Sequence, residues 1–183
     1  PDFINNITPF YQQRINYKPI ISNILKDLNN IELNDGDESK SLDDENKFKE
    51  LFPETYGLRS TQIKQGKTNF DIHRKLRVGI VFLGGNAPGG HNVITGLYDA
   101  LKEANPENEL IGYIGGEGNT FLRDYLPIRI MDDEIINAYR NSGGYDLLNS
   151  EKIKEDEFPR VLNALDCANF TSFVVVGGDD SNT

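Results

Sequence analysis

The chain has 183 residues, with 29 acidic against 19 basic side chains and a formal charge of −10 at pH 7, which argues against a basic nucleic-acid binder or a polybasic membrane-surface module. A chain of this size buries roughly 70% of the surface it exposes when unfolded, enough for one ordinary domain with an appended segment, while a mean hydropathy of −0.52 leaves some stretches polar and exposed. The single cysteine, Cys167, excludes an internal disulfide framework or a Cys-based zinc site and fits a reducing compartment. No run approaches the roughly 18 apolar residues that cross a bilayer, and no charged-then-apolar leader opens the chain, so a cytoplasmic protein without a membrane partner is expected.

In chain order, Tyr11 to Leu28 places Tyr11, Ile15, Ile20, Ile21, Ile24, Leu25 and Leu28 on a helical stripe that Pro19 caps or kinks. Residues 32–54 hold nine acidic and three basic side chains, a balance of −6, and read as a solvated loop or a marginal helix. Leu51-Phe52-Pro53 with Tyr56-Gly57 reads as a short docking motif. From residue 76 short apolar runs alternate with amphipathic segments: strands at Leu76–Leu83, Glu109–Ile114 and Phe173–Val176, helices at Asn92–Ala104, Asp132–Asn141 and Glu155–Cys167. That alternation predicts an α/β fold, a Rossmann-like parallel sheet with flanking helices over residues 76–183, preceded by a mostly helical extension over residues 1–75. On the first of these helices Val93, Ile94, Leu97, Ala100, Leu101 and Ala104 are expected to face the sheet. The chain opens on Pro1 and stops at Thr183, just after a strand-like run and a glycine turn, as expected of a segment of a longer polypeptide.

Each strand runs into paired glycines, Gly84-Gly85, Gly115-Gly116 and Gly177-Gly178. Ligands of open parallel sheets bind outside the carboxyl ends of the strands, and glycine lets backbone N–H groups approach them. The three turns are therefore expected to converge on one crevice, although glycine after a strand also serves as a plain tight turn. The first turn precedes a helix start, where unpaired N–H groups and the helix dipole favour a phosphate. It is neither a Walker loop nor a GxGxxG fingerprint. The third turn continues into Asp179-Asp180. Carboxylates beside an anion site make sense if one holds Mg²⁺ or rejects a wrong ligand by charge; the alternative is an Asx turn or a helix cap.

Together, GIVFLGGNAPGGHNVITGLYDAL at 79–101, YRNSGGYDLL at 139–148 and VVVGGDDSNT at 174–183 resemble the long-form pyrophosphate-dependent phosphofructokinases. YQQRINYKPIISNIL at 11–25 and LFPETYGL at 51–58 extend the likeness upstream, to most of the chain. The resemblance implies the amino-terminal part of a phosphofructokinase-type lobe. It also implies an enzyme of glycolysis, an alcohol-acceptor phosphotransferase that reversibly converts fructose 6-phosphate to fructose 1,6-bisphosphate with pyrophosphate as donor and Mg²⁺ as cofactor. Allosteric control and a homo- or hetero-oligomeric assembly are implied as well. Carried over residue by residue, it gives pyrophosphate binding to Gly84, Gly85 and Gly178, the magnesium site to Asp179, and donor specificity to Asp180, whose carboxylate fills the space of an ATP α-phosphate.

Two departures accompany the likeness. The family usually carries Gly-Arg after the GGYDLL-like loop; here Asn149-Ser150-Glu151-Lys152-Ile153 follows, and Lys152 is the substitute cation for pyrophosphate, a point charge rather than a planar fork. The family's catalytic base, in a later TIDGD-type motif, and its sugar-phosphate arginines are not in these residues, so the isolated chain is expected to be inactive without the remainder of the polypeptide. A non-catalytic regulatory subunit of the same family and an ATP-dependent phosphofructokinase are the alternatives. Of the other candidates, His91 reads as a helix-start or packing residue or an anion donor, Cys167 as a buried small residue, and Tyr145 and Asp146 as shaping the crevice or simply turning the chain. The basic run around His73 reads as a contact for an acidic surface.

Overall fold

A computed structural model of the chain describes residues 8–40, 43–85, 88–115, 128–150 and 152–178. It forms two compact units, one made of Pro1–Lys18 with His73–Thr183 and the other of Pro19–Ile72.

The smaller unit is built on a β-hairpin, not on helices. Strand β1 (Ile31–Glu38) pairs antiparallel with β2 (Arg59–Gln65), and helix α2 (Glu45–Leu51) lies in the connection. The acid-rich run forms a strand because its charges meet complementary neighbours: Glu32 stands opposite Lys64 and Glu38 opposite Arg59, while Leu33 faces Ile63. Opposite-charge and apolar cross-strand pairs each contribute roughly 0.2–1 kcal/mol. The Asn69 amide reinforces this by accepting from the Leu33 N–H at 3.1 Å and donating to its carbonyl at 2.8 Å. The expectation of a mostly helical extension is thus corrected, since the helical stripe survives only as α1 (Pro9–Asn16) and single turns at Asn23–Leu25 and Leu28–Asn30. The LFPETYGL segment turns back within its own unit, where Phe48, Phe52, Thr55 and Tyr56 line a small cavity with Ser39 and Lys40.

The larger unit carries a four-stranded sheet in the order β5-β4-β3-β6, comprising β3 (Arg77–Phe82), β4 (Glu109–Tyr113), β5 (Ile128–Ile130) and β6 (Ser172–Val176). Strand β3 is parallel to both β4 and β6, but β5 runs antiparallel to β4, so the sheet is mixed rather than parallel. A three-residue strand is too short to show the two-residue periodicity that identifies strands in a sequence. Helices α3 (Gly90–Ala104), α4 (Asp133–Tyr139) and α5 (Phe158–Cys167) complete the unit. Alternation along β3 sends Val78, Ile80 and Phe82 into one core with Ile94 and Tyr98 of α3 and Ile136 of α4. Val81 faces the other core, with Tyr113, Phe170, Phe173 and Val161 of α5. Gly79 is needed there, because a Cβ at that position would run into the Phe173 ring.

The buried stripe of α3 is His91, Ile94, Thr95, Tyr98 and Leu101, so the expected face is offset: Val93 and Ala100 are exposed. Tyr98 fits at its centre because its hydroxyl donates to Asp133 Oδ1 at 2.8 Å. Burial, with Asp133 adding to it, pushes the phenol pKa up to about 12. Asn108, fully buried, accepts from the Leu76 N–H at 2.6 Å and donates to the Leu101 carbonyl at 2.8 Å, joining β3, β4 and α3. The basic run finds acids within this unit: Lys75 pairs with Glu107 at 3.5 Å and Arg77 with Glu109. Cys167, expected to be buried, is exposed; it ends α5 beyond the buried turn around Val161. Among the described residues no helix is long and apolar enough to cross a membrane.

Ile94 is fully buried between α3 and the sheet. Replacing it with alanine is expected to cost about 2–5 kcal/mol, from lost transfer energy and an uncollapsed cavity, measured by urea unfolding.

Candidate functional site

The geometry of the site begins with sheet register. On the β3–β6 ladder Phe82 stands opposite Val176, and the Leu83 N–H donates to the Val176 carbonyl at 2.9 Å. The Gly84-Gly85 and Gly177-Gly178 turns therefore leave neighbouring parallel strands at the same level, at the point where strand order reverses: the chain crosses from β3 to β4 on one side and later returns through α5 to β6 on the other. Gly85, Gly177 and Gly178 line one cavity of about 410 Å³, within the roughly 300–1,000 Å³ of small-molecule sites. Phe82, Leu83, Val93 and Val176 give it apolar walls, and Tyr145 and Ser150 close it from the 143–150 loop.

Convergence is thus a matter of two glycine turns and a loop. Gly115 does not line the cavity; its N–H donates to the Leu148 carbonyl at 2.7 Å, and Gly116 lies outside the described residues. Gly84, with φ +86°, makes the turn that delivers Gly85 to the wall. At Gly85 and Gly178 an added Cβ would meet nothing within 4 Å, so neither glycine is dictated by packing against a neighbour. Lys152 is exposed and is not among the lining residues. Asp179 and Asp180 lie outside the described residues, immediately after Gly178 in the chain. Among the described residues no three His, Cys, Asp or Glu side chains gather as a metal-ion cluster.

The start of α3 is used differently from the expected anion cradle. Gly89 adopts φ +94° as the residue before the helix. Its N–H donates to the Gly143 carbonyl at 2.6 Å, and the His91 N–H donates to the Gly144 carbonyl at 2.8 Å. Two donors of the first turn are therefore committed to the 143–150 loop. The His91 side chain makes the same connection. Its Nε2 accepts from the Leu147 N–H at 3.0 Å, its Nδ1 lies 2.6 Å from Ser142 Oγ, and the Ser142 hydroxyl donates to the Tyr139 carbonyl at 2.6 Å. The ring sits edge-on to Tyr139, with centroids 4.8 Å apart. A Cβ on Gly144 would lie 2.8 Å from His91 Cε1, so that glycine is required by the imidazole. Asp146 Oδ1 is 3.1 Å from Nε2 on the exposed side. Burial pushes the imidazole pKa down, opposed by Asp146 and assisted by Arg14. Tyr145 lines the cavity, whereas Asp146 turns its carboxylate towards His91.

No family model matches the chain. Individual proteins do, and they agree with one another. The chain is 38% identical to the pyrophosphate–fructose 6-phosphate 1-phosphotransferase of Entamoeba histolytica over 97% of its own length and 32% of the relative's. The enzyme of that name from Porphyromonas gingivalis is 34% identical over 93% of the chain and 30% of the relative. Subunit alpha 2 of the Arabidopsis thaliana enzyme is 36% identical over 97% and 30%. The chain is a homologue of the pyrophosphate–fructose 6-phosphate 1-phosphotransferases. It spans about 30% of the length of these curated relatives.

A methyl group at Gly90 would fall 2.7 Å from a Phe82 ring carbon and 3.2 Å from Tyr145 Cβ. Gly90→Ala is accordingly expected to lose about 1–3 kcal/mol of stability through overpacking, while Gly85→Ala, opening onto empty space, stays within about 0.5 kcal/mol; paired urea titrations read the difference.

Proposed function

We propose that this chain supplies the pyrophosphate-binding part of an enzyme that transfers a phosphoryl group from pyrophosphate to the 1-hydroxyl of fructose 6-phosphate, reversibly. The observation that carries the reading is the pair of level glycine turns, Gly84-Gly85 and Gly177-Gly178, flanking one cavity at the carboxyl ends of adjacent parallel strands. Backbone there can come close to a small anion without side chains intervening, and amide dipoles fixed by a sheet need no reorganisation as charge develops on the phosphoryl oxygens. The names of the relatives supply the donor and the acceptor. Phe82, Val93 and Val176 exclude water from one side of the space, which strengthens electrostatic interactions within it.

In this reading Asp179, which follows Gly178, holds Mg²⁺, an ion that neutralises phosphoryl oxygens when bound. Asp180 shuts out nucleotides: its carboxylate takes up room and charge where an ATP α-phosphate would lie, whereas pyrophosphate ends short of it. Lys152 is an accessory cation at most, being exposed and away from the cavity wall. Attraction of a polyanion by a chain of charge −10 is then local, through backbone and bound cation, not through net charge. The subunit designation of the Arabidopsis relative supports an assembly of more than one chain for the complete enzyme.

Steady-state assays of the complete polypeptide with pyrophosphate and with ATP test the reading. Wild type is expected to use pyrophosphate, and Asp180→Gly to gain ATP-dependent turnover while losing discrimination of at least about tenfold, the equivalent of roughly 1.4 kcal/mol. Turnover with ATP alone, indifferent to Asp180→Gly, contradicts it.

A further inference from the structure

We propose that His91 is a positioning residue: as a neutral imidazole with its proton on Nδ1, it fixes the distance between the glycine loop at the start of α3 and the 143–148 loop, and hence the width of the cavity between them. The phosphate-binding consequence rests on the function proposed above; the tether itself does not.

Two groups compete for Nε2. The Leu147 N–H, 3.0 Å away in the interior, can only donate, whereas the Asp146 carboxylate, 3.1 Å away, can only accept but is exposed to water; we take the buried amide to prevail, so that Nε2 accepts. The ring proton is then on Nδ1 and is donated to Ser142 Oγ at 2.6 Å, leaving the serine proton for the Tyr139 carbonyl. Donors and acceptors are matched along the whole chain from Leu147 to Tyr139. Both ring nitrogens are used, so His91 has no donor left for an anion and acts through the loops it joins. Those loops include Gly89, Gly90 and Tyr145 of the cavity wall, and the backbone bonds from Gly89 and His91 to Gly143 and Gly144 run alongside.

Protonation would remove the buried half of the tether: a proton on Nε2 meets the Leu147 N–H and leaves that nitrogen only the solvent-exposed Asp146 Oδ1, 3.1 Å away, a screened and weaker partner on the same loop. The groups facing the ring are Asp146, Ser142 and Tyr139 from the loop and α4, with the Arg14 charge from α1. Burial is the largest influence and keeps the ring neutral below its ordinary range. The unfolded chain takes up the proton first, so the tether's contribution is complete above about pH 6.5 and fades as pH falls further.

The test compares wild type, His91→Gln and His91→Phe in the purified protein, with pyrophosphate as probe in calorimetric titrations from about pH 8 to about pH 5. Glutamine restores an acceptor near the Nε2 position and does not titrate. Its affinity at neutral pH is expected within about threefold of wild type, and the wild-type to Gln ratio of Kd to rise about tenfold as pH falls. Ionisation of pyrophosphate is common to both proteins and cancels in that ratio. Phenylalanine fills the ring volume without an acceptor and is expected to bind about tenfold more weakly at every pH, with faster exchange of the Leu147 amide. Wild-type binding by His91→Phe, or an acid loss shared by His91→Gln, overturns the proposal; should His91→Phe not fold, the Gln ratio decides. If wild type binds no pyrophosphate, the functional reading fails separately. Nitrogen NMR of the His91 ring then judges the tether: an Nδ1-protonated ring supports it and an Nε2-protonated ring overturns it.

Discussion

The pairing of Phe82 with Val176 on adjacent parallel strands is the constraint on which the site depends. Parallel strands share a direction, so whatever follows their last paired residues emerges at the same edge of the sheet, and register decides whether it emerges at the same height. Here both strands give way to glycines within two residues of that pair, and α3 leaves from the first of them. A slip of one residue between β3 and β6 would stagger the turns and also exchange the two faces of β6, moving Phe173 away from Tyr113 and Phe170. The aromatic cluster beneath the sheet, with ring centroids 5.6–5.9 Å apart, thus protects the alignment above it.

A second layer of organisation joins loops rather than strands. The 143–150 loop is held by the Gly115 amide from below, by Gly89 and His91 from the side, and by burial of Leu147 and Leu148 in the core. A segment with two glycines in sequence would otherwise carry a high conformational entropy. Asn141, just before it, donates to the Arg14 and Tyr17 carbonyls at 2.8 and 2.9 Å, so the first helix of the chain also contributes to the loop's placement. The resulting cavity combines glycine backbone at Gly85, Gly89, Gly90, Gly177 and Gly178 with the apolar side chains of Phe82, Leu83, Val93 and Val176.

What the sequence makes legible follows from the range of the forces involved. Strands β3, β4 and β6 and helices α3 and α5 stand out because their apolar periodicity is local, and the paired glycines mark the strand ends directly. The β1–β2 hairpin is hidden because its stabilising partners, Glu32 with Lys64 and Glu38 with Arg59, lie far apart in the chain and look like solvated charge when read separately. Strand β5 is too short to announce itself. The face of α3 is misjudged by one position because Tyr98 and Thr95 look polar until Asp133 and the sheet are in place. In the site, the glycines are readable, whereas the task of His91 is not: its partners are a hydroxyl and a backbone amide 51 and 56 residues later, groups that leave no signature in composition or spacing. Asp179 and Asp180, lying outside the described residues, remain readable from the motif alone.

Strand β6 has a further consequence. It is one of the two outer members of the four-stranded sheet among the described residues, its sequence Ser-Phe-Val-Val-Val carries no charge, and Val175 is exposed. One whole row of its amides and carbonyls faces outward without a lysine, proline or bulge to discourage pairing, the devices by which sheet borders are normally kept from templating other chains. Among the described residues, the strand that brings Gly177 and Gly178 to the cavity is thus also a border at which the pairing that builds the sheet can be extended.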